Sequence, residues 1–155
     1  MPQTLTRPTA PPPLFDDAAP LARRLLVVAN ETLTDPALIG AIDRLVHPDG
    51  RVLLVCPVLV SRPRLWTSDL SAGLACAAAR LRAALASLRA LGLEVEGSVG
   101  DTDPLLAVED VLHLFPADRL LVATHPPGVS SWLRRHVPEQ AEARFGVPVT
   151  HAVVR

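Results

Sequence analysis

Between Arg24 and Val154, short apolar runs alternate with longer stretches in which apolar residues recur every three or four positions. Leu25 to Ala29 is an unbroken apolar run bounded by polar residues, the pattern of a strand buried on both faces. Thr34-Asp35-Pro36 then starts a helix, with Asp35 as its cap and Pro36 at its first position. Leu38, Ile42, Leu45 and Val46 share one face of that helix, and His47-Pro48-Asp49-Gly50 breaks it. Arg51 to Val60 reads as a second strand, and residues 61–70 as a loop carrying Arg62, Arg64 and Trp66. An alanine-rich helix is expected from Ser71 to Leu91, with Leu74, Ala78, Leu81, Leu85 and Leu88 at helical spacing and Arg82 and Arg89 on another face. Gly92 stands where a left-handed residue closes a helix. Glu94 to Val99 is the third strand, and Asp103-Pro104 opens a helix that ends at Phe115-Pro116. Arg119 to Thr124 is the fourth strand. The loop His125 to Ser130 leads into a helical region that Pro138 must interrupt or restart, before a last strand from Val147 to Val154.

Strands separated by helices of this length specify a parallel sheet with right-handed crossovers. Five strands and four helices fit a doubly wound, open five-stranded sheet, a Rossmann-like α/β sandwich. In such folds ligands bind beyond the carboxyl ends of the strands, where the strand order reverses. With the first strand central and the fourth its neighbour across that switch, two loops form the crevice. They are Asn30-Glu31-Thr32 and the run from Thr124 to Ser131. Periodicity alone does not fix the strand order.

Composition refines this picture. The chain has 155 residues, one domain's worth. Residues 1–20 hold six of the 16 prolines, three of them consecutive at Pro11, Pro12 and Pro13. That lead is expected to be extended or disordered, with the domain spanning 21–155. Net charge is −1, which argues against a nucleic-acid partner held by bulk charge. Two tryptophans and no tyrosine make a base-stacking surface a poor fit. All 15 cationic side chains are arginine, a skew that fits a GC-rich bacterial genome. The lack of lysine excludes a Walker-type phosphate loop, a Schiff base and a lysine base. Cys56 and Cys76 fall in apolar stretches and read as small hydrophobes in a reduced, cytoplasmic protein. The longest apolar run, Val52 to Val60, is too short for a membrane helix, and no signal-peptide order opens the chain.

Candidate chemistry concentrates after the fourth strand. Gly128 allows close backbone approach, and Ser130 and Ser131 stand where a helix starts, a place that suits a phosphate. Arg134 and Arg135 lie near enough in sequence to add forked donors. A capped helix after a proline-stiffened turn explains the same residues. Asn30, the only asparagine, suits a ribose or base edge, or a local turn. Asp101 and Asp103 read as loop and cap residues before Pro104. The five histidines show no metal-ligand spacing, and His125 is the one in the crevice. There is no nucleophile elbow and no assembled triad, so no catalytic residue and no metal are assigned.

Four stretches, in this order and spacing, resemble the universal stress protein family over Arg24 to Val154. Leu25 to Asn30 is similar to its first strand with a terminal adenine-pocket residue. Gly100-Asp101-Thr102-Asp103-Pro104 is similar to its Gly-Asp-Pro turn, and Ala117 to His125 to its fourth strand. Phe145-Gly146-Val147-Pro148-Val149 is similar to the start of its last strand. The resemblance implies strand order 3-2-1-4-5, a homodimer and, in some members, ATP bound through Gly-x2-Gly-x9-Gly-Ser/Thr. Here those four slots fall on His125, Gly128, Pro138 and Glu139, and only Gly128 matches. The family's first-strand aspartate is Asn30 here, and the loop His125-Pro126-Pro127-Gly128 resembles an actinobacterial branch. The expected ligand is ATP or another adenine nucleotide, or a small anion. It would be held by Ala29, Asn30, Thr32, Thr124, His125, Gly128, Ser130 and Ser131. The apolar last strand would be an uncovered edge suited to pairing with a second copy. The alternative is a ligand-free dimeric interaction domain that has lost the pocket.

Overall fold

The computed structural model describes residues 20–58, 67–126, 132 and 135–154. The N-terminal lead up to residue 19 and the loop at 61–66 lie outside the described residues. Five parallel strands form one sheet of order β3-β2-β1-β4-β5. They are β1 (Ala22–Val28), β2 (Val46–Pro57), β3 (Glu94–Gly100), β4 (Arg119–Thr124) and β5 (Val149–Val153). Among the described residues, helices alternate with them: α1 (Pro36–Leu45), α2 (Thr67–Ala90), α3 (Pro104–Leu112) and α4 (Val137–Phe145). The strand order implied by the resemblance is the one observed.

The central strand explains the layers. Side chains alternate across a strand. Leu25, Val27 and Ala29 therefore face one layer, with Leu38 and Ile42 of α1 and Ala77, Leu81, Ala84 and Leu88 of α2. Leu26 and Val28 face the other, with Leu105 and Val108 of α3, Trp132, and Val137 and Ala141 at α4. Every residue from Leu25 to Ala29 is fully buried. Each such leucine or valine stabilises the fold by roughly 1.5–3 kcal/mol. At the amino end the Asp118 carboxylate accepts the backbone N–H groups of Arg23 (3.0 Å) and Arg24 (3.3 Å). Its own N–H donates to the Arg24 carbonyl at 3.0 Å, which pins β4 to β1.

Helix punctuation follows the sequence. Asp35 Oδ1 accepts from Ala37 N at 2.8 Å, and Asp103 Oδ1 from Leu105 N at 3.0 Å, each ahead of a proline in the first turn. Gly92 is left-handed (φ +83°) after α2. Pro138 stands in the first turn of α4.

Three expectations are corrected. The break at His47-Pro48-Asp49-Gly50 is the irregular start of β2, which runs from Val46. Val46 pairs with Ala22 and Arg51 with Arg24, so the intervening residues bulge out, turned by an Asp49 N–H to His47 Nδ1 bond of 3.0 Å. Second, α2 begins at Thr67, where a loop was expected. Third, its buried stripe is Ala77, Leu81, Ala84 and Leu88; Leu74 is exposed and Ala78 only half-buried. Alanine at 77 and 84 brings the helix close to the sheet, so the small residues define the contact face.

Glycine serves the same closeness at β3. A Cβ on Gly100 would stand 2.7 Å from Ala107 Cβ and 3.0 Å from Val55 Cγ1, neither of which can swing away. Gly40 in α1 has nothing within 4 Å of its Cβ position. Gly100→Ala is therefore expected to destabilise by about 1–3 kcal/mol, and Gly40→Ala to stabilise by about 0.5–1 kcal/mol. Urea unfolding of both variants checks this; equal effects would contradict it.

Candidate functional site

Parallel register brings three strand ends to one edge. Val28 of β1 is level with Val55 of β2 and Val122 of β4, so Asn30, Pro57 and Thr124 gather at the carboxyl edge of the sheet. Ala29, fully buried, donates its N–H to the Val55 carbonyl at 3.2 Å and keeps β1 paired up to the site. Asn30 follows and is 4% exposed. Its Nδ2 donates to the Pro57 carbonyl, and its Oδ1 accepts from Arg80 Nη1. The amide is thus fixed at both ends.

Arg80 belongs to α2, which returns between two parallel strands and so runs opposite to them. Helical side chains lean toward the helix N-terminus, here toward the carboxyl edge of the sheet. The guanidinium also reaches the field of Cys56, a residue of β2. Burial raises that thiol's pKa from 9.0 to about 11, with the Arg80 charge opposing. Cys56 is thus a protonated, quiet core residue near neutral pH.

Asn30 opens a short 3₁₀ turn, Glu31–Thr34. Thr32 is buried in it, and its hydroxyl has no hydrogen-bond partner among the described residues. Such an orphan costs roughly 1–3 kcal/mol. Across the crevice, Thr124 is buried at the end of β4 with its Oγ1 2.7 Å from His151 Nε2 on β5. His125 Nε2 lies 3.1 Å from Glu31 Oε2 and so joins the two loops, through a partly exposed pair of modest strength.

Five of the eight expected site residues, Ala29, Asn30, Thr32, Thr124 and His125, therefore stand at one end of the sheet. Gly128, Ser130 and Ser131 lie outside the described residues, as does Arg134. Arg135 pairs with Asp103 of the α3 cap at 3.6 Å. Asp101 accepts the Asp103 N–H at 2.9 Å, the loop role expected of it. Among the described residues no group of three His, Cys, Asp or Glu is placed to hold a metal. Sequence reasoning missed Arg80, although a signal was there: it lies three residues after Ala77 and four before Ala84, beside the buried stripe. It also missed the pairing of Glu31 with His125 and of His151 with Thr124. Contacts across 94 and 27 residues leave no local pattern.

Burial holds the His151 imidazole below its ordinary pKa of 6.5, with Glu139 opposing. The unfolded chain then binds more protons than the folded one between the lowered value and 6.5, so stability falls as pH drops through that window. His151→Gln keeps a hydrogen-bonding side chain without the titration. It is expected to lose less of its urea midpoint between pH 7.5 and 5 than the parent does. An equal loss would refute this.

No protein-family model and no curated protein matches the chain. Solved structures do. A universal stress protein family member from Burkholderia pseudomallei superposes with a TM-score of 0.63 at 14% identity, over 85% of this chain and 96% of that one. A universal stress protein in complex with cAMP gives 0.57 at 17% identity, over 88% and 100%. An Arabidopsis thaliana universal stress protein family protein with AMP bound gives 0.56 at 16%, over 88% and 93%. At these identities the likeness is one of architecture: the chain has the five-stranded α/β fold of the universal stress proteins.

Proposed function

We propose that the chain is a universal-stress-protein-like module of the cytoplasmic stress response. It holds an adenine nucleotide or a small anion in the crevice between the loops after β1 and β4. The observation that carries this reading is the convergence of Asn30, Thr32, Thr124 and His125 at the switch point of the sheet, where doubly wound folds take ligands. The two like-folded proteins with cAMP and AMP support the same ligand class. Gly128, Ser130 and Ser131 complete the binding set in this proposal.

In the same reading the protein is a homodimer paired through β5. That strand is bonded to β4 on one side and stands at the end of the strand order. Among the described residues, no helix is long and apolar enough to cross a membrane.

A second reading has one observation in its favour. Both ends of the Asn30 amide are already satisfied within the chain. A domain so sealed would serve as a dimeric interaction module without a ligand.

Thermal unfolding with millimolar ATP, ADP, AMP and cyclic AMP separates the two readings. At least one nucleotide is expected to raise the melting temperature, with about 2.7 kcal/mol of stabilisation at a hundredfold excess over Kd. A flat response to all four selects the ligand-free module. Light scattering is expected to give twice the 16.5 kDa chain mass. Val153→Lys, which places a charge at the β5 edge, is expected to shift that mass to the monomer. A parent protein that scatters as a monomer would end the dimer proposal.

A further inference from the structure

Among the described residues, the cation at the crevice has no carboxylate partner. Arg80 is half-buried, and among the described residues its guanidinium donates to the neutral Oδ1 of Asn30. Arg135 meets Asp103 and Arg144 meets Glu109, while Arg89, on the same helix as Arg80, donates to the Val95 carbonyl. A guanidinium carries five N–H donors in a rigid fork, so one bond leaves most of them unused.

Asn30 makes this arrangement deliberate in geometry. Its Nδ2 is committed to the Pro57 carbonyl, so its Oδ1 must face Arg80. The asparagine therefore orients the arginine, and an aspartate there would neutralise it. A second observation lies at the same corner. The Thr32 hydroxyl, in a residue 3% exposed, is without a partner among the described residues, and its turn packs against α2. An unpaired hydroxyl and an uncompensated guanidinium are both satisfied by one kind of group, an oxyanion.

We propose that Arg80, oriented by Asn30 and assisted by Thr32, forms an anion subsite at the carboxyl ends of β1 and β2 that takes a phosphate group. This rests on the crevice being a ligand site. It moves the anchor from the glycine-bearing loop after β4 to helix α2. A nucleotide phosphate and free inorganic phosphate share the required chemistry.

The test titrates inorganic phosphate, AMP and adenosine into the full chain and into Arg80→Gln, with circular dichroism melts confirming that the variant is folded. The parent is expected to bind inorganic phosphate and AMP, and adenosine at least tenfold more weakly than AMP. Arg80→Gln is expected to lose about tenfold or more in affinity for both phosphate-bearing probes. Thr32→Val is expected to melt no lower than the parent without ligand yet to bind phosphate several-fold more weakly. If Arg80→Gln does not fold, Arg80→Lys keeps the charge without the fork, and a drop in phosphate affinity is expected there too.

Equal AMP affinity in parent and Arg80→Gln overturns the subsite while leaving the crevice a nucleotide site. So does adenosine binding as tightly as AMP. Unchanged phosphate affinity in Arg80→Lys and Thr32→Val together overturns it as well. A parent that binds neither phosphate nor AMP overturns both the subsite and the nucleotide reading.

Discussion

Strand β1 is hydrogen-bonded on both edges and covered on both faces, and the rest of the structure is arranged to keep it so. Its apolar run from Leu25 to Ala29 can be dry only if β2 and β4 flank it and helices cover each side. A buried backbone must pair all its N–H and C=O groups, which fixes the neighbours' register as well as their identity. Asp118 sets that register at the amino end by holding the N–H groups of Arg23 and Arg24. At the other end the Ala29 bond to Val55 carries the pairing up to the crevice. The site is thus a consequence of strand alignment: Asn30, Pro57 and Thr124 meet because the strands beneath them are in step.

That alignment also determines what the crevice is made of. Asn30 is buried at the point where the ladder stops, so its amide must find partners other than water. It finds the Pro57 carbonyl and the Arg80 guanidinium, and thereby links β1, β2 and α2. Thr124 meets the same requirement through His151, linking β4 to β5. Thr32 finds no such partner among the described residues. Among the described residues, a satisfied amide beside an unsatisfied hydroxyl and a cation without a carboxylate gives the corner a chemical preference for negative charge. The neutral asparagine is consistent with that preference, since a carboxylate at position 30 would have cancelled the arginine.

Regular elements were legible wherever the local pattern is also the physical cause. Arg119–Thr124 is a strand because its apolar run is buried in the middle of the sheet. Asp35-Pro36 and Asp103-Pro104 start helices because a carboxylate caps free N–H groups and proline needs none. Legibility failed where contact distance mattered more than apolar character. On α2 the longer side chain of Leu74 suggested a face, yet the helix sits on its alanines and leaves Leu74 exposed. At Val46–Gly50 a proline and a glycine read as a break, yet strand pairing absorbed them as a bulge.

From its sequence alone the chain determined its strands, most of its helix starts, a doubly wound sheet and the two loops that would line a crevice. Each of these follows from short-range periodicity, capping and burial of apolar runs. The tertiary structure alone decided that Arg80 would meet Asn30, that His125 would meet Glu31 and that Thr124 would meet His151. Those pairs are separated by 50, 94 and 27 residues. Polar groups at a sheet edge choose partners by where crossovers deliver them, and that delivery depends on the packing of whole helices against the sheet. The arginine that gives the crevice its charge was therefore visible as a residue but not as a neighbour.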